Sequence, residues 1–226
     1  PLKEKILSLV PYFYYLNQMN IPHILFINKV DSIDFDIKDL LGSIQEYSPR
    51  PLVIRQIPIR EENNIIGAAD VIHERAYKYE NEKPSQIVKI PEELSSLRTE
   101  IREKLLETLA DFDDVLMEKI LEDVPTSTEE IYEYLKKDIA SNKIVEVLSG
   151  SAENETGIRR LLKSIRHDCP SHEKTIKRNG LKISNDTAFV QVFKTNFVPH
   201  RGKQSIVRVW SGELQEGNTL QNNIRL

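Results

Sequence analysis

The run Ile24-Leu25-Phe26-Ile27, followed at once by Asn28-Lys29-Val30-Asp31, sets the fold class of this chain. Four consecutive apolar residues predict a strand buried on both faces, because a strand with one wet face alternates. Upstream, residues 4–20 predict a helix with a tyrosine-rich apolar face. Downstream, Ile37, Leu40, Leu41 and Ile44 recur at helical spacing. Helix, strand and helix in that order make a doubly wound α/β unit.

Ligands of open α/β sheets sit at the carboxyl ends of strands, which is where Asn28, Lys29 and Asp31 fall. An ionised Asp31 offers two acceptor oxygens to the ring N–H and exocyclic amine of guanine, whereas adenine presents an acceptor and no amine on that edge. Lys29 can lay its aliphatic stem along the base, and the Asn28 amide can bridge the base edge and neighbouring backbone. The same residues also fit a plain strand-to-helix turn in which Asn28 and Asp31 cap the next helix. A second buried strand is expected at Ile144 to Leu148, followed by Gly150-Ser151-Ala152. Residues this small let a backbone N–H of Ser151 or Ala152 approach the guanine carbonyl. Thr156 is placed to cap a helix carrying Ile158, Leu161, Leu162 and Ile165.

Between the two loops the pattern changes. Short β-rich pieces, 52–59 and 65–79, are broken by Pro58, Asn63-Asn64 and Gly67, and from residue 92 onward the pattern is helical, with Ser127 and Glu130 as a capping box. The expected division is therefore 1–50 with 141–168 as the α/β domain, 51–140 as an inserted α+β subdomain, 169–186 as a linker, and 187–226 as the first strands of a β barrel. Residues 91–138 hold 15 Asp or Glu against 6 Lys or Arg, a net of −9 in a chain whose total is −4. These charges either solvate the outer faces of amphipathic helices or form an acidic docking surface.

The net charge of −4 argues against a broad electrostatic grip on bare nucleic acid. The single Cys169 cannot close an intramolecular disulfide, which suits a reducing compartment such as the cytoplasm. No apolar run approaches the roughly 20 residues that span a bilayer, so no membrane partner is expected. Opening on Pro1 instead of Met suggests a piece of a longer protein.

Taken together, Asn28-Lys29-Val30-Asp31 and Gly150-Ser151-Ala152 resemble the NKxD and SA loops, the fourth and fifth signature motifs of GTP-binding proteins. About 120 residues separate them, where small GTPases have a few tens, and that insertion resembles elongation factor G and its paralogues. Gln56-Ile57-Pro58-Ile59, Asp113-Asp114-Val115-Leu116-Met117-Glu118-Lys119, Ala188-Phe189-Val190-Gln191-Val192-Phe193-Lys194, Gly202-Lys203 and Arg208-Val209-Trp210-Ser211-Gly212-Glu213-Leu214 with Gly217 fall in the family's order. The fit is closest to elongation factor G-like paralogues.

This resemblance implies a partial P-loop-GTPase-type parallel sheet and GTP or GDP as ligand. It implies guanine contacts from Asn28, Lys29 and Asp31 and from the backbone of Ser151 and Ala152. It further implies GTP hydrolysis coupled to a translocation-like step, with the ribosome, its rRNA and proteins, as partner to a cytoplasmic monomer. The acidic insert is expected to meet the ribosomal stalk protein. Ser32 stands where housekeeping factors usually have Arg, and Glu146 where they have Pro, which points to a paralogue with another task on the ribosome.

No GxxxxGKS/T loop and no DxxGH segment occurs in the sequence. Phosphate, Mg2+ and hydrolysis are therefore expected of the intact protein, with no catalytic or metal residue assigned here. His23, His73, His167, His172 and His200 lack metal-ligand spacing. Two other readings remain open: a non-hydrolysing guanine-nucleotide or ribosome- and factor-binding module, and an α/β protein whose two loops match by chance.

Overall fold

The computed structural model describes residues 3–31, 36–61, 64–80, 85–181, 183, 188–217, 219–220 and 224–225. The chain divides into two compact units, Pro1–Cys169 and Pro170–Leu226.

The first unit opens with α1 (Lys3–Ile6), a 3-10 turn at Leu7–Leu9, and α2 (Val10–Gln18), where the sequence predicts one helix. Pro11 explains the break, because it has no N–H to donate back to the preceding turn and the chain tightens before it. Next come β1 (Ile24–Ile27) and α3 (Ile37–Gln45), which buries Ile37, Leu40, Leu41 and Ile44 as their spacing predicts. The cap of α3 is Asp36, whose Oδ1 accepts the N–H groups of Lys38 at 2.7 Å and Asp39 at 3.3 Å. Neither Asn28 nor Asp31 serves that purpose.

Five strands and three helices follow before the chain returns: β2 (Leu52–Ile54), β3 (Gln56–Glu61), β4 (Asn64–Asp70), β5 (Ala76–Lys78), β6 (Gln86–Val88), α4 (Glu92–Ala110), α5 (Asp114–Leu121) and α6 (Thr128–Ala140). The unit then closes with β7 (Val145–Ser149) and α7 (Ile158–His167). β1, β7 and β2 form a parallel sheet in that order, and β3 to β6 form a separate antiparallel sheet. The stretch 52–59, which reads as one piece of the insert, is thus two strands in two sheets. Leu52–Ile54 belongs with the parallel strands, and the chain changes sheet at Arg55. Pro58 is tolerated in β3 because that strand is the edge of its sheet.

Arg55 is buried to 2 % exposure. One guanidinium nitrogen donates to Glu146 Oε1 at 2.7 Å and to Asp168 Oδ2 at 3.0 Å, and the other donates to the Tyr132 hydroxyl at 3.1 Å. Ser164 donates its hydroxyl to the other oxygen of Glu146. Burial by itself opposes the guanidinium charge, yet Glu146, Tyr132 and Asp168 hold its pKa above the ordinary arginine value. Burial pushes Glu146 above the usual carboxylate range against the pull of Arg55 and Ser164. The cluster joins the β2–β3 corner to the central strand β7, the residue ending α7, and the insert helix α6.

A second tie runs beside it. The fully buried Asp70, at the end of β4, accepts the N–H groups of Ile72 at 2.9 Å and His73 at 2.8 Å, and its other oxygen accepts from Arg160 of α7 at 3.0 Å. In the insert the predicted capping box is present: Ser127 and Glu130 satisfy each other's backbone at the start of α6, and Lys119 of α5 pairs with Glu130.

The second unit carries α8 (His172–Arg178) within the stretch read as a linker. It continues with β8 (Phe189–Val198) and β9 (Gly202–Ser211), an antiparallel hairpin, and with the short strands β10 (Thr219–Leu220) and β11 (Ile224–Arg225). Gly202 sits at φ 74, a left-handed value at the hairpin turn that a side chain would strain. A parallel sheet, an inserted α+β subdomain and a following β segment agree with the expected mixed α/β class.

Two outcomes follow for stability. Arg55→Ala strands two buried carboxylates and lowers stability by about 3–5 kcal/mol, to be read as a drop in the urea midpoint followed by tyrosine fluorescence. Lys119 and then Ser127 hold the Glu130 carboxyl down to about 2, from an ordinary 4.5. Because the folded value is the lower one, the contribution is whole above about pH 4.5 and is lost as pH falls toward about 2. A carboxyl-carbon NMR titration should place the Glu130 midpoint near the lower end.

Candidate functional site

The parallel pairing of β1 with β7 sets Ile27 opposite Ser149, so the chain leaves both strands at one level. Backbone bonds then join the two exits. Gly150 N–H donates to the Ile27 carbonyl at 3.0 Å, and Val30 N–H donates to the Gly150 carbonyl at 3.3 Å. Asn28 completes the junction, since its Oδ1 accepts the N–H of Lys29 and, across the gap in sequence, the N–H of Ala152, each at 2.9 Å. Lys29 is exposed and adopts φ 61, a left-handed turn conformation.

Gly150 is required by space. A Cβ there would lie 2.3 Å from the Thr156 carbonyl oxygen and 3.0 Å from the Phe26 ring. The loop it opens is pinned at its neck by Ser151, whose N–H donates to the Thr156 carbonyl at 2.9 Å and to the Thr156 hydroxyl at 3.2 Å. Thr156 therefore closes this loop and does not cap α7, which starts instead from Gly157 at φ 76 with no side-chain cap.

Asp31 is half-buried beside this junction. Its Oδ2 accepts from the Asn154 side chain at 2.9 Å, which ties the Asn28–Asp31 loop to the 150–157 loop a second time. Its Oδ1 is buried and has no hydrogen-bond partner among the described residues. An acceptor in that position carries a desolvation cost of about 1–3 kcal/mol until a donor reaches it.

Of the five residues singled out from the sequence, the structure brings Asn28, Asp31, Ser151 and Ala152 into one connected patch, with Lys29 at its rim. The backbone donors of Ser151 and Ala152 are engaged by Thr156 and Asn28. Asn154 was not anticipated; its position in the loop three residues beyond Ser151 was the only cue. Ser32 lies outside the described residues. The orphaned carboxylate oxygen fits a base that presents N–H donors, as guanine does. Among the described residues no group of three or more His, Cys, Asp or Glu side chains is assembled that could hold a metal ion.

Sheet, insert and loops together define a mixed α/β protein, a three-stranded parallel sheet interrupted by an α+β subdomain with its own antiparallel sheet. No family model matches the chain. Over 218 residues, 96% of its length, the chain is 35% identical to the Elongation factor G-like protein of Synechocystis, of which it spans 32%. It is also similar in structure to a crystal structure of a Thermus thermophilus protein, with a TM-score of 0.77 and 25% identity over 93% of this chain and 30% of that one. The likeness to elongation factor G-like proteins read from the motifs thus holds across nearly the whole chain, which spans about a third of the relative's length.

Asn28→Ala removes the acceptor shared by the Lys29 and Ala152 amides. Hydrogen exchange measured by NMR should quicken at both by roughly fivefold, the equivalent of one neutral hydrogen bond. The Ser151 amide, held by Thr156, should keep its rate.

Proposed function

We propose that the intact protein is a GTP-binding, elongation factor G-like translation factor of the cytoplasm that acts on the ribosome and couples GTP binding and hydrolysis to a translocation-like step. The observation that carries this reading is the buried Oδ1 of Asp31, without a hydrogen-bond partner among the described residues and set between two loops joined through Asn28. In this reading Asp31 accepts from the guanine ring N–H and amine, the Asn28 amide nitrogen serves the base edge while its Oδ1 holds the Ala152 N–H in place, the Lys29 stem covers the plane of the base, and Ser151 and Ala152 shape the closing loop. GTP, when bound, supplies the free energy of phosphoanhydride hydrolysis. Its phosphates and Mg2+ are the task of residues outside these two loops. The acidic insert offers a docking face to a basic ribosomal partner such as the stalk protein.

A second reading, a non-hydrolysing guanine-nucleotide or ribosome-binding module, draws on the lack of a GxxxxGKS/T loop in this sequence. GTP turnover by the full-length protein separates the two.

The base assignment is tested by titrating fluorescent GDP and the corresponding xanthine nucleotide against full-length protein and its Asp31→Asn variant. The amide replaces one acceptor with a donor, so guanine affinity should fall at least about tenfold, as for a lost charge-assisted hydrogen bond. Xanthine, with a carbonyl in place of the amine, should gain. An unchanged base preference removes the guanine reading.

A further inference from the structure

Helical spacing places Arg160, Lys163, Ser164 and His167 on one face of α7, at i, i+3, i+4 and i+7. That face borders a cleft of about 280 Å³. The opposite wall comes from the insert: His73 and Arg75 from the turn between β4 and β5, and Tyr132 and Lys136 from α6. Five Lys or Arg side chains line this space against one carboxylate, Asp168.

Internal partners account for only part of that charge. Asp168 and Glu146 neutralise Arg55, and Asp70 neutralises Arg160. Among the described residues Lys136 has a single loose pairing, with Glu133 at 3.6 Å. Arg75 stacks over Tyr77 at 5.7 Å, and its Nε is buried with no hydrogen-bond partner among the described residues. Lys163 and His167 make no hydrogen bond or ion pair among those residues.

Three cations from three separate elements, Arg75, Lys136 and Lys163, therefore meet over one cleft with little to offset them. Like charges so arranged repel, and an anion between them turns that repulsion into attraction. A phosphate group, with several charged oxygens in a tetrahedral array, can meet donors arriving from three directions, whereas a carboxylate presents two oxygens in one plane. The volume suits a phosphate group with a few waters and falls below the roughly 300–1,000 Å³ of sites for drug-sized ligands.

We propose that this cleft, between α7 and the insert, is a phosphate-binding site, occupied by a backbone phosphate of RNA or by free phosphate. The site is separate from the guanine loops, and its test does not depend on them. The chain carries a net charge of −4, so the grip is local, confined to one cleft.

The test is an NMR titration of the chain at about 50 mM salt, following the imidazole resonances of His73 and His167 as inorganic phosphate or a short single-stranded RNA is added. Sodium chloride at matched ionic strength and pH serves as the control. The comparison protein is Lys136→Glu with Lys163→Glu, one change at a half-buried and one at an exposed position, whose folding is checked by far-UV circular dichroism. Saturable shifts of both histidines by phosphate, weakened at least about tenfold in the charge-reversed protein, are expected. Tighter binding by RNA that phosphate competes away identifies the RNA backbone as the source, and binding of phosphate without RNA identifies free phosphate. Shifts no larger than those of chloride with both ligands, or equal affinity in the charge-reversed protein, overturn the proposal.

Discussion

The in-register parallel pairing of β1 with β7 is the constraint on which the rest of the first unit depends. These strands lie more than a hundred residues apart in sequence, and their contact turns two ordinary loops into one surface. Every later contact at the site presupposes it: the Gly150 amide on Ile27, the Val30 amide on Gly150, and the Asn28 side chain on Ala152. A slip of one residue would turn each side chain of β7 to the opposite face and move the Gly150 loop away from Asn28. Burial on both faces disfavours such a slip, since β7 is enclosed along its whole length.

Closing a loop of that length carries an entropic cost that grows only slowly with length, so the insert is tolerable provided it folds by itself and is anchored at its base. The insert has its own sheet, and two of its three helices carry side-chain caps, while its apolar residues share one core with the host. Its base is held by charged groups that can exist there only as a set: Arg55 with Glu146 and Asp168, and Asp70 with Arg160. A buried ion pair adds little net stability over an apolar replacement, but removing one member is expensive. The cluster therefore says more about which arrangement is allowed than about how stable it is.

Much of this architecture was legible in the sequence because it follows from local rules. The apolar run ending at Ile27, the apolar spacing of α3 and the Ser127–Glu130 box each act within a few residues, and each is present in the structure. The nearness of Asn28, Asp31, Ser151 and Ala152 was legible only by resemblance, for no periodicity in the chain states that β1 and β7 are neighbours. The features without a local signal depend on distant partners. Nothing near Arg55 in sequence shows that the run 52–59 is divided between two sheets, because the carboxylates that hold the corner lie 91 and 113 residues away. Glu146 looked like a departure from the family's Pro, yet it is the buried counter-charge of that arginine. Thr156 had the chemistry of a helix cap and a better use in closing its own loop.

The anchoring of the insert by scattered charges has a bearing on modular exchange. A chimera that took the 56–140 segment from a relative, spliced at its two chain crossings, would import Tyr132 and Asp70 but leave Arg55, Glu146, Arg160 and Asp168 with the recipient. Backbone compatibility at the splice points would not ensure compatibility of these ionic partners. Among related proteins the insert and its host should therefore diversify in concert, with changes on one side of the seam answered by changes on the other.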